Sequence, residues 1–197
     1  MPEEEHEELK RRGPAWAWAM AALTLVGMGG GGWALMVFVQ RRDALSAVLG
    51  PWPWHEQLAA GAVLGLLIAA VAWRIISAPA MQHIRTRYAG IVAAIMPGAL
   101  LQAVVSVCAG VGEELLFRGA VQHWLGIPLT AALFVAIHGY LDPRDRGMLR
   151  YGLFMTLAMC ALGWGAERAG LLLPMAAHAV IDAVLIRRLV GGNGSDR

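Results

Sequence analysis

Charged residues are scarce in this sequence, and their scarcity excludes most soluble folds. Only 15% of the 197 residues are charged, whereas 58% are hydrophobic. An ordinary soluble domain carries about 25% charged residues. The charges are grouped in short clusters between apolar runs of roughly 20 residues, the length that crosses the hydrocarbon core of a bilayer. The composition therefore predicts an all-α, polytopic membrane protein with no room for a separate soluble domain.

The sequence also lacks an excess of charge of one sign, and it has little cysteine. A net charge of +2 is too small to predict nucleic-acid binding, so the basic residues are interpreted as topology signals. The two cysteines, Cys108 and Cys160, lie in apolar segments without metal-ligand spacing and are interpreted as small core residues. A signal peptide is not predicted, because the first apolar run is too long and has no clear cleavage site.

Six membrane spans are predicted from the apolar runs. Their approximate bounds are 15–39, 58–77, 97–125, 127–141, 149–166 and 171–189. Proline and glycine mark the breaks on both sides of the third span, at Pro97-Gly98 and at Gly126 with Pro128. A loop is predicted after the first span and a basic connector after the second.

An even number of spans places both termini on one side of the membrane. With the N-terminus inside, only Arg41, Arg42 and Arg168 lie in outer loops. The inner face would then hold the other basic loop residues: Lys10, Arg11, Arg12, Arg74, Arg85, Arg87, Arg144, Arg146, Arg150, Arg187, Arg188 and Arg197. This asymmetry follows the positive-inside rule and predicts a plasma-membrane protein with cytoplasmic termini.

The predicted organisation has three parts. Residues 1–14 form a charged cytoplasmic segment, and residues 15–190 form the membrane domain. The motif-bearing core of that domain covers residues 97–189. Residues 191–197, rich in Gly, Ser and Asp, are predicted to be a disordered tail.

Three clusters of ionisable residues lie inside predicted spans, where a charged side chain costs at least ~2.5–3.5 kcal/mol on insertion scales. They contain Glu113, Glu114 and Arg118 in the third span, His138 in the fourth, and His178 and Asp182 in the sixth. At a rise of ~1.5 Å per residue, Glu113, His138, His178 and Asp182 lie roughly 12–18 Å below the outer ends of their spans. This agreement in depth predicts that three helices bring their polar groups together near the bilayer midplane.

Spacing within the third span indicates a division of roles. Glu114 and Arg118 are one turn apart, in the favourable order for an ion pair. That pair leaves Glu113 on an adjacent face, where it can approach His138. A carboxylate and an imidazole that share a water molecule form a plausible general base.

The sixth span carries a second pair of polar residues at helical spacing. His178 and Asp182 are one turn apart, so they either donate hydrogen bonds to a developing oxyanion or Asp182 orients His178. Donation by Asp182 requires a protonated carboxyl group. Phe134 is interpreted as a packing residue beside the site. Each group alone is more typical of helix packing, but three clusters in one layer favour a functional site.

In order and type, the three clusters resemble the motifs of the CPBP family of intramembrane proteases. That family includes the CAAX prenyl endopeptidases of the Rce1 type and bacterial proteins linked to bacteriocin processing and self-immunity. Its pattern is EExxxR, then FxxxH, then HxxxN or HxxxD. Here the pattern reads Glu113-Glu114-xxx-Arg118, Phe134-xxx-His138 and His178-xxx-Asp182. The short six-span form also resembles the myxosortase branch, associated with C-terminal sorting segments.

The resemblance implies a membrane endopeptidase that hydrolyses a peptide bond in or beside the membrane. Glu113 and His138 would activate the attacking water, and His178 with Asp182 would stabilise the tetrahedral intermediate. The Glu-Arg pair would support the site. Asp182 stands where the family commonly has Asn; unlike an amide, a carboxyl group donates a hydrogen bond only when protonated.

Cofactor, partners and two rival functions complete the predictions. Zinc or another divalent metal ion is left open, with Glu113, His138 and His178 as candidate ligands. The expected partners are a membrane protein or peptide substrate and the lipid bilayer, with no nucleic acid. The rivals are a non-catalytic immunity or scaffold protein of the same fold and a small proton-coupled transporter. The transporter is disfavoured because the two halves show no paired hydropathy repeat.

Overall fold

The computed structural model describes residues 3–191, with side chains from residue 13 onward. Within this part of the chain every regular element is a helix. The α-helices are α1 Glu3–Ala22, α2 Gly30–Ala34, α3 Ala44–Leu49, α4 Trp54–Ile76, α5 Gln82–Ile95, α6 Ala99–Glu114, α7 Gln122–Ile137, α8 Arg146–Ala169 and α9 Leu172–Gly191. The predicted disordered tail lies outside the described residues, apart from Gly191 at the end of α9.

Three helical stretches among the described residues are long and apolar enough to cross a membrane. They are Gly13–Val39, Trp54–Ile76 and Ala99–Ile137. The all-α membrane bundle predicted from the composition is thereby confirmed. Helices α8 and α9 occupy the predicted fifth and sixth spans; their 24 and 20 residues match the length of a span, but neither helix is among these three stretches.

The first helix continues beyond α1 to Val39 and crosses α6 at backbone contact. π-helical turns precede and follow its four consecutive glycines. A Cβ on Gly32 would lie 2.6 Å from the backbone of Leu115, and one on Gly112 would collide with the carbonyl oxygen of Thr24. Small residues allow this close approach. The crossing therefore supports α6 directly beside the Glu-Glu motif.

Helix α9 packs against α4, α6 and α8. Gly61 and Gly65 of α4, four residues apart, leave room for the backbone of α9, since a Cβ on either would collide with a carbonyl oxygen there. On α6, a Cβ on Gly110 would lie 2.7 Å from the carbonyl oxygen of Met175. These contacts bring the polar residues of α9 next to the end of α6.

The predicted break between the third and fourth spans is present at Gly126, which has φ 70° and ψ 174°. This positive φ favours glycine. After the break, residues 127–137 form a half-helix of about 17 Å that ends one residue before His138.

The structure differs from the sequence predictions in three places. The basic connector after the second span forms α5, and the loop after the first span contains the short helix α3. The predicted fourth span, 127–141, is helical only to Ile137, because Gly139 adopts φ 76° and turns the chain out of the helix. The backbone is irregular over residues 138–145, and His138 and Tyr140 of this segment line the cavity beside the site.

Candidate active site

Polar side chains from α6, the end of α7 and α9 meet inside the bundle. Glu113 Oε2 lies 3.6 Å from His138 Nε2 and 4.0 Å from His178 Nε2. Asp182 Oδ2 lies 3.7 Å from His178 Nε2. These four residues are called the Glu113 cluster below. The structure thus brings together every residue for which the sequence predicted a catalytic role.

His178 is oriented by Glu114, an interaction that the sequence did not reveal. Its Nδ1 lies 2.8 Å from Glu114 Oε1, and the same oxygen lies 3.1 Å from Arg118 Nη1. Because a carboxylate paired with arginine only accepts hydrogen bonds, Nδ1 of His178 is the donor. Nε2 is therefore the ring nitrogen that faces Glu113 and Asp182. The sequence had assigned this orienting role, as one alternative, to Asp182.

The predicted ion pair between Glu114 and Arg118 is present and almost completely buried, with exposed side-chain fractions of 0% and 1%. Arg118 makes further contacts that support its charge. Its Nη2 lies 3.0 Å from Met159 Sδ, and its guanidinium carbon lies 4.8 Å from the ring centre of Phe134. A buried charge is tolerated only with such partners. This pair therefore anchors the site.

His138 is held by Phe134 in two ways. Nδ1 of His138 lies 2.7 Å from the carbonyl oxygen of Phe134, and the two ring centres are 4.4 Å apart. A carbonyl oxygen only accepts, so Nδ1 carries the proton and Nε2 faces Glu113. Phe134 also packs edge-on against Phe117 at 5.0 Å. It thus packs beside the site, as the sequence predicted.

A cavity of about 270 Å³ adjoins the Glu113 cluster. Much of its wall is apolar and includes four methionines: Met81, Met148, Met155 and Met159. Helix α5 adds Arg85 and Tyr88, and two further tyrosines, Tyr140 and Tyr151, lie on the wall beside His138. Sequence reasoning missed these lining residues, although Tyr140 follows the His138 motif by only two positions.

The residue types of the cluster suit zinc, which binds histidine nitrogen and carboxylate oxygen. Both imidazoles are also oriented through Nδ1, as metal-bound histidines usually are. However, within the described part of the chain no three His, Cys, Asp or Glu residues are placed as a metal-binding group. Metal binding by Glu113, His138 and His178 therefore stays a prediction.

A family model described as type II CAAX prenyl endopeptidase, Rce1-like, matches residues 96–184. The matched segment runs from the residues before α6 into α9 and contains the whole Glu113 cluster, together with Glu114, Arg118 and Phe134. No curated protein and no solved structure matches the chain. The match does not test the resemblance to the myxosortase branch.

Proposed function

Because this chain belongs to the CPBP family of intramembrane proteases, with residues 96–184 matching its Rce1-like members, we propose that Glu113 and His138 activate water for peptide-bond hydrolysis. The substrate would be a membrane-associated protein. One observation carries the proposal. Glu113 Oε2 is buried without a hydrogen-bond partner among the described residues, and the Nε2 atoms of His138 and His178 face it at 3.6 and 4.0 Å.

These separations favour a shared water molecule over direct bonds. Direct N–H···O bonds span about 2.7–3.2 Å, so Glu113 and the two imidazoles are too far apart to satisfy one another. A water molecule beside all three could bond to each of them. In the proposed first step, water oxygen attacks the scissile carbonyl carbon, and its proton passes to the carboxylate of Glu113.

The oxyanion formed in that step needs hydrogen-bond donors. Nε2 of His178 is free to donate when the ring is protonated, because Nδ1 already bonds to Glu114. The negative charge of Glu114 stabilises such a positively charged ring. Asp182, 3.7 Å from that nitrogen, adds a second donor when its carboxyl group is protonated. This arrangement would stabilise the tetrahedral intermediate.

Collapse of the intermediate closes the cycle. The carbon–nitrogen bond breaks, and the leaving amine takes the proton from the Glu113 carboxyl group. The carboxylate of Glu113 is thereby regenerated, and no redox partner or group donor is required.

The test compares two carboxylates in the same protein. Glu113→Gln keeps the size of the side chain but removes its basicity, whereas Glu167→Gln changes a carboxylate outside the cluster. We expect the termini of membrane proteins, measured by proteomics in cells, to lose processed forms only in the Glu113→Gln strain. Normal processing at normal expression of Glu113→Gln would remove the catalytic assignment and favour the scaffold alternative.

Metal dependence is tested separately with the purified protein. We expect peptide hydrolysis to continue in a strong chelator, since the proposed step uses protein groups and water alone. Loss of activity in chelator, with recovery on adding zinc, would instead identify Glu113, His138 and His178 as metal ligands.

We also propose that the chain lies in the plasma membrane with both termini in the cytoplasm. Arg188 lies over the ring of Trp73 at 5.6 Å, so α4 and α9 end on the same face, which carries more basic residues. On the opposite face, the amide of Trp52 donates to the carbonyl oxygen of Ala169. A fluorescent or phosphatase reporter fused after the C-terminus distinguishes the two orientations.

A further inference from the structure

His138 is only partly buried, although it is a proposed catalytic group. It lies at the end of the α7 half-helix, and 31% of its side chain is exposed. Its hydrogen bond to the carbonyl oxygen of Phe134 restrains one nitrogen only. A rotation of the ring about its bond to Cβ would break that bond and turn Nε2 away from Glu113.

A second aromatic ring lies against this imidazole. The ring centre of Tyr140 is 5.7 Å from that of His138, and the two planes are inclined by 32°. Phe134 lies closer, at 4.4 Å and 31°. The imidazole therefore contacts two aromatic rings, each inclined to it by just over 30°, one from the residue four positions before and one from the residue two positions after.

Tyr140 is itself held in place by its surroundings. Its amide donates to the carbonyl oxygen of Val135 at 3.2 Å, which folds the chain back after α7. Its ring meets that of Tyr151 edge-on at 5.1 Å. Helix α8 approaches its backbone so closely that a Cβ on Gly152 would collide with the carbonyl oxygen of Tyr140.

We propose that Tyr140 is a positioning residue for His138. Its ring keeps the imidazole against Phe134, so that Nδ1 stays bonded to the carbonyl oxygen and Nε2 stays directed at Glu113. This inference rests on the proposed role of His138. A misplacement of about 1 Å in such a group costs up to about 10²-fold in rate.

The kinetic test uses Tyr140→Phe and Tyr140→Leu with the purified enzyme and a peptide substrate. Phenylalanine keeps the ring, so we expect kcat within about twofold of the wild type. Leucine removes the ring, and we expect kcat to fall about 10- to 100-fold with KM nearly unchanged. An effect of Tyr140→Leu on KM alone would overturn the proposal, because it would assign Tyr140 to substrate contact.

The spectroscopic test reports on His138 directly. In protein labelled with ¹⁵N-histidine, the resonances of His138 are identified by their loss in His138→Ala. We expect a single tautomer, protonated at Nδ1, in the wild type and in Tyr140→Phe, and a mixture of tautomers in Tyr140→Leu. An unchanged single tautomer in Tyr140→Leu would overturn the proposal, whatever happens to the rate.

Tyr88 offers a matched control, because it lines the same cavity from α5. We expect Tyr88→Leu to leave the His138 tautomer unchanged; a mixture there would overturn the specific role of Tyr140. If Tyr140→Leu does not fold, Tyr140→Met, which retains more bulk without a ring, undergoes the same measurements. The tautomer measurement needs no turnover, so its outcome is independent of the outcome of Glu113→Gln in the processing assay, which tests the proposed function.

Discussion

Two polar clusters, one partly exposed and one more deeply buried, differ in how completely their hydrogen bonds are made. The first, called the Gln40 cluster here, consists of Gln40, Arg42, Gln122 and Glu167. Its donor–acceptor distances lie between 2.8 and 3.1 Å: Gln40 to the Ala120 carbonyl, Arg42 to the Gly119 carbonyl and to Gln40, and Gln122 to Glu167 and to the Gly163 carbonyl. In the Glu113 cluster the members lie 3.6 to 4.0 Å from one another, and the direct bonds of the two imidazoles go to Phe134 and Glu114 outside the cluster.

The difference separates a structural role from a chemical one. Gln40 and Arg42 bind carbonyl groups of the π-helical turn Leu115–Val121, whose widened backbone leaves those oxygens available. Buried polar groups are normally bonded in this way. The Glu113 cluster instead keeps a buried carboxylate oxygen without a protein partner. An incomplete set of bonds is costly for the fold, but it leaves groups free to bind water and substrate.

The largest expected effect follows from breaking the Glu113 cluster. We expect Glu113→Gln to lower kcat/KM by about 10²–10⁴-fold, the usual contribution of a general base, because the amide cannot take a proton from water. The unfolding midpoint in detergent should stay close to the wild type, since no direct bond is lost. A large drop in that midpoint would contradict the view that this cluster is chemically and not structurally important.

The next effect concerns the pair behind the cluster. Glu114→Ala leaves the guanidinium of Arg118 buried without its carboxylate, which typically costs about 3–5 kcal/mol. We expect the free energy of unfolding, measured by titration with a denaturing detergent, to fall by about that amount, and activity to fall with it. Glu114→Gln serves as a milder control, since it still accepts a hydrogen bond. If Glu114→Ala were as stable to unfolding as Glu113→Gln, the structural role of Glu114 would be contradicted.

A smaller effect tests the Gln40 cluster. Gln40→Ala leaves the carbonyl oxygen of Ala120 without its donor and should lower the free energy of unfolding by about 1–2 kcal/mol. We expect kcat to change less than about threefold, because the widened turn retains its other contacts. Arg41→Ala, at an exposed neighbouring position, is the matched control and should change neither quantity. If Gln40→Ala lowered kcat without lowering the free energy of unfolding, the structural role of the Gln40 cluster would be contradicted.

The smallest expected effect lies outside the spans, at the start of α8. Backbone N–H groups of Met148 and Gly147, together with His83, lower the pKa of Asp145 below its usual value of 3.8. The ionised carboxylate of Asp145 therefore stabilises the folded state. This stabilisation is complete at pH values above the ordinary pKa, and it is lost as the pH falls through the lowered pKa of the folded state. We expect Asp145→Asn to remove that acid-side loss in a pH titration of the unfolding midpoint, whereas Asp142→Asn should keep it.

The main outlines of the fold were predictable from local sequence, and the departures have identifiable causes. Apolar runs predicted the helices, and Gly126 predicted the break after the third span. Helix α5 was missed because its basic residues resemble those of a connector, yet Arg85 and Tyr88 of this helix line the cavity. The half-helix before His138 was predicted too long, because apolar residues continue past Ile137 while Gly139 ends the helix.

The sequence by itself predicted which polar residues lie within the apolar spans and at what depth, because rise per residue and insertion cost depend only on order along a helix. It also determined the pairing of Glu114 with Arg118, which lie on one turn. Only the tertiary structure decided that His178 bonds to Glu114 while Glu113 stays free. That choice depends on the rotation of α9 against α6, which close packing at glycines such as Gly110 sets and local spacing does not encode.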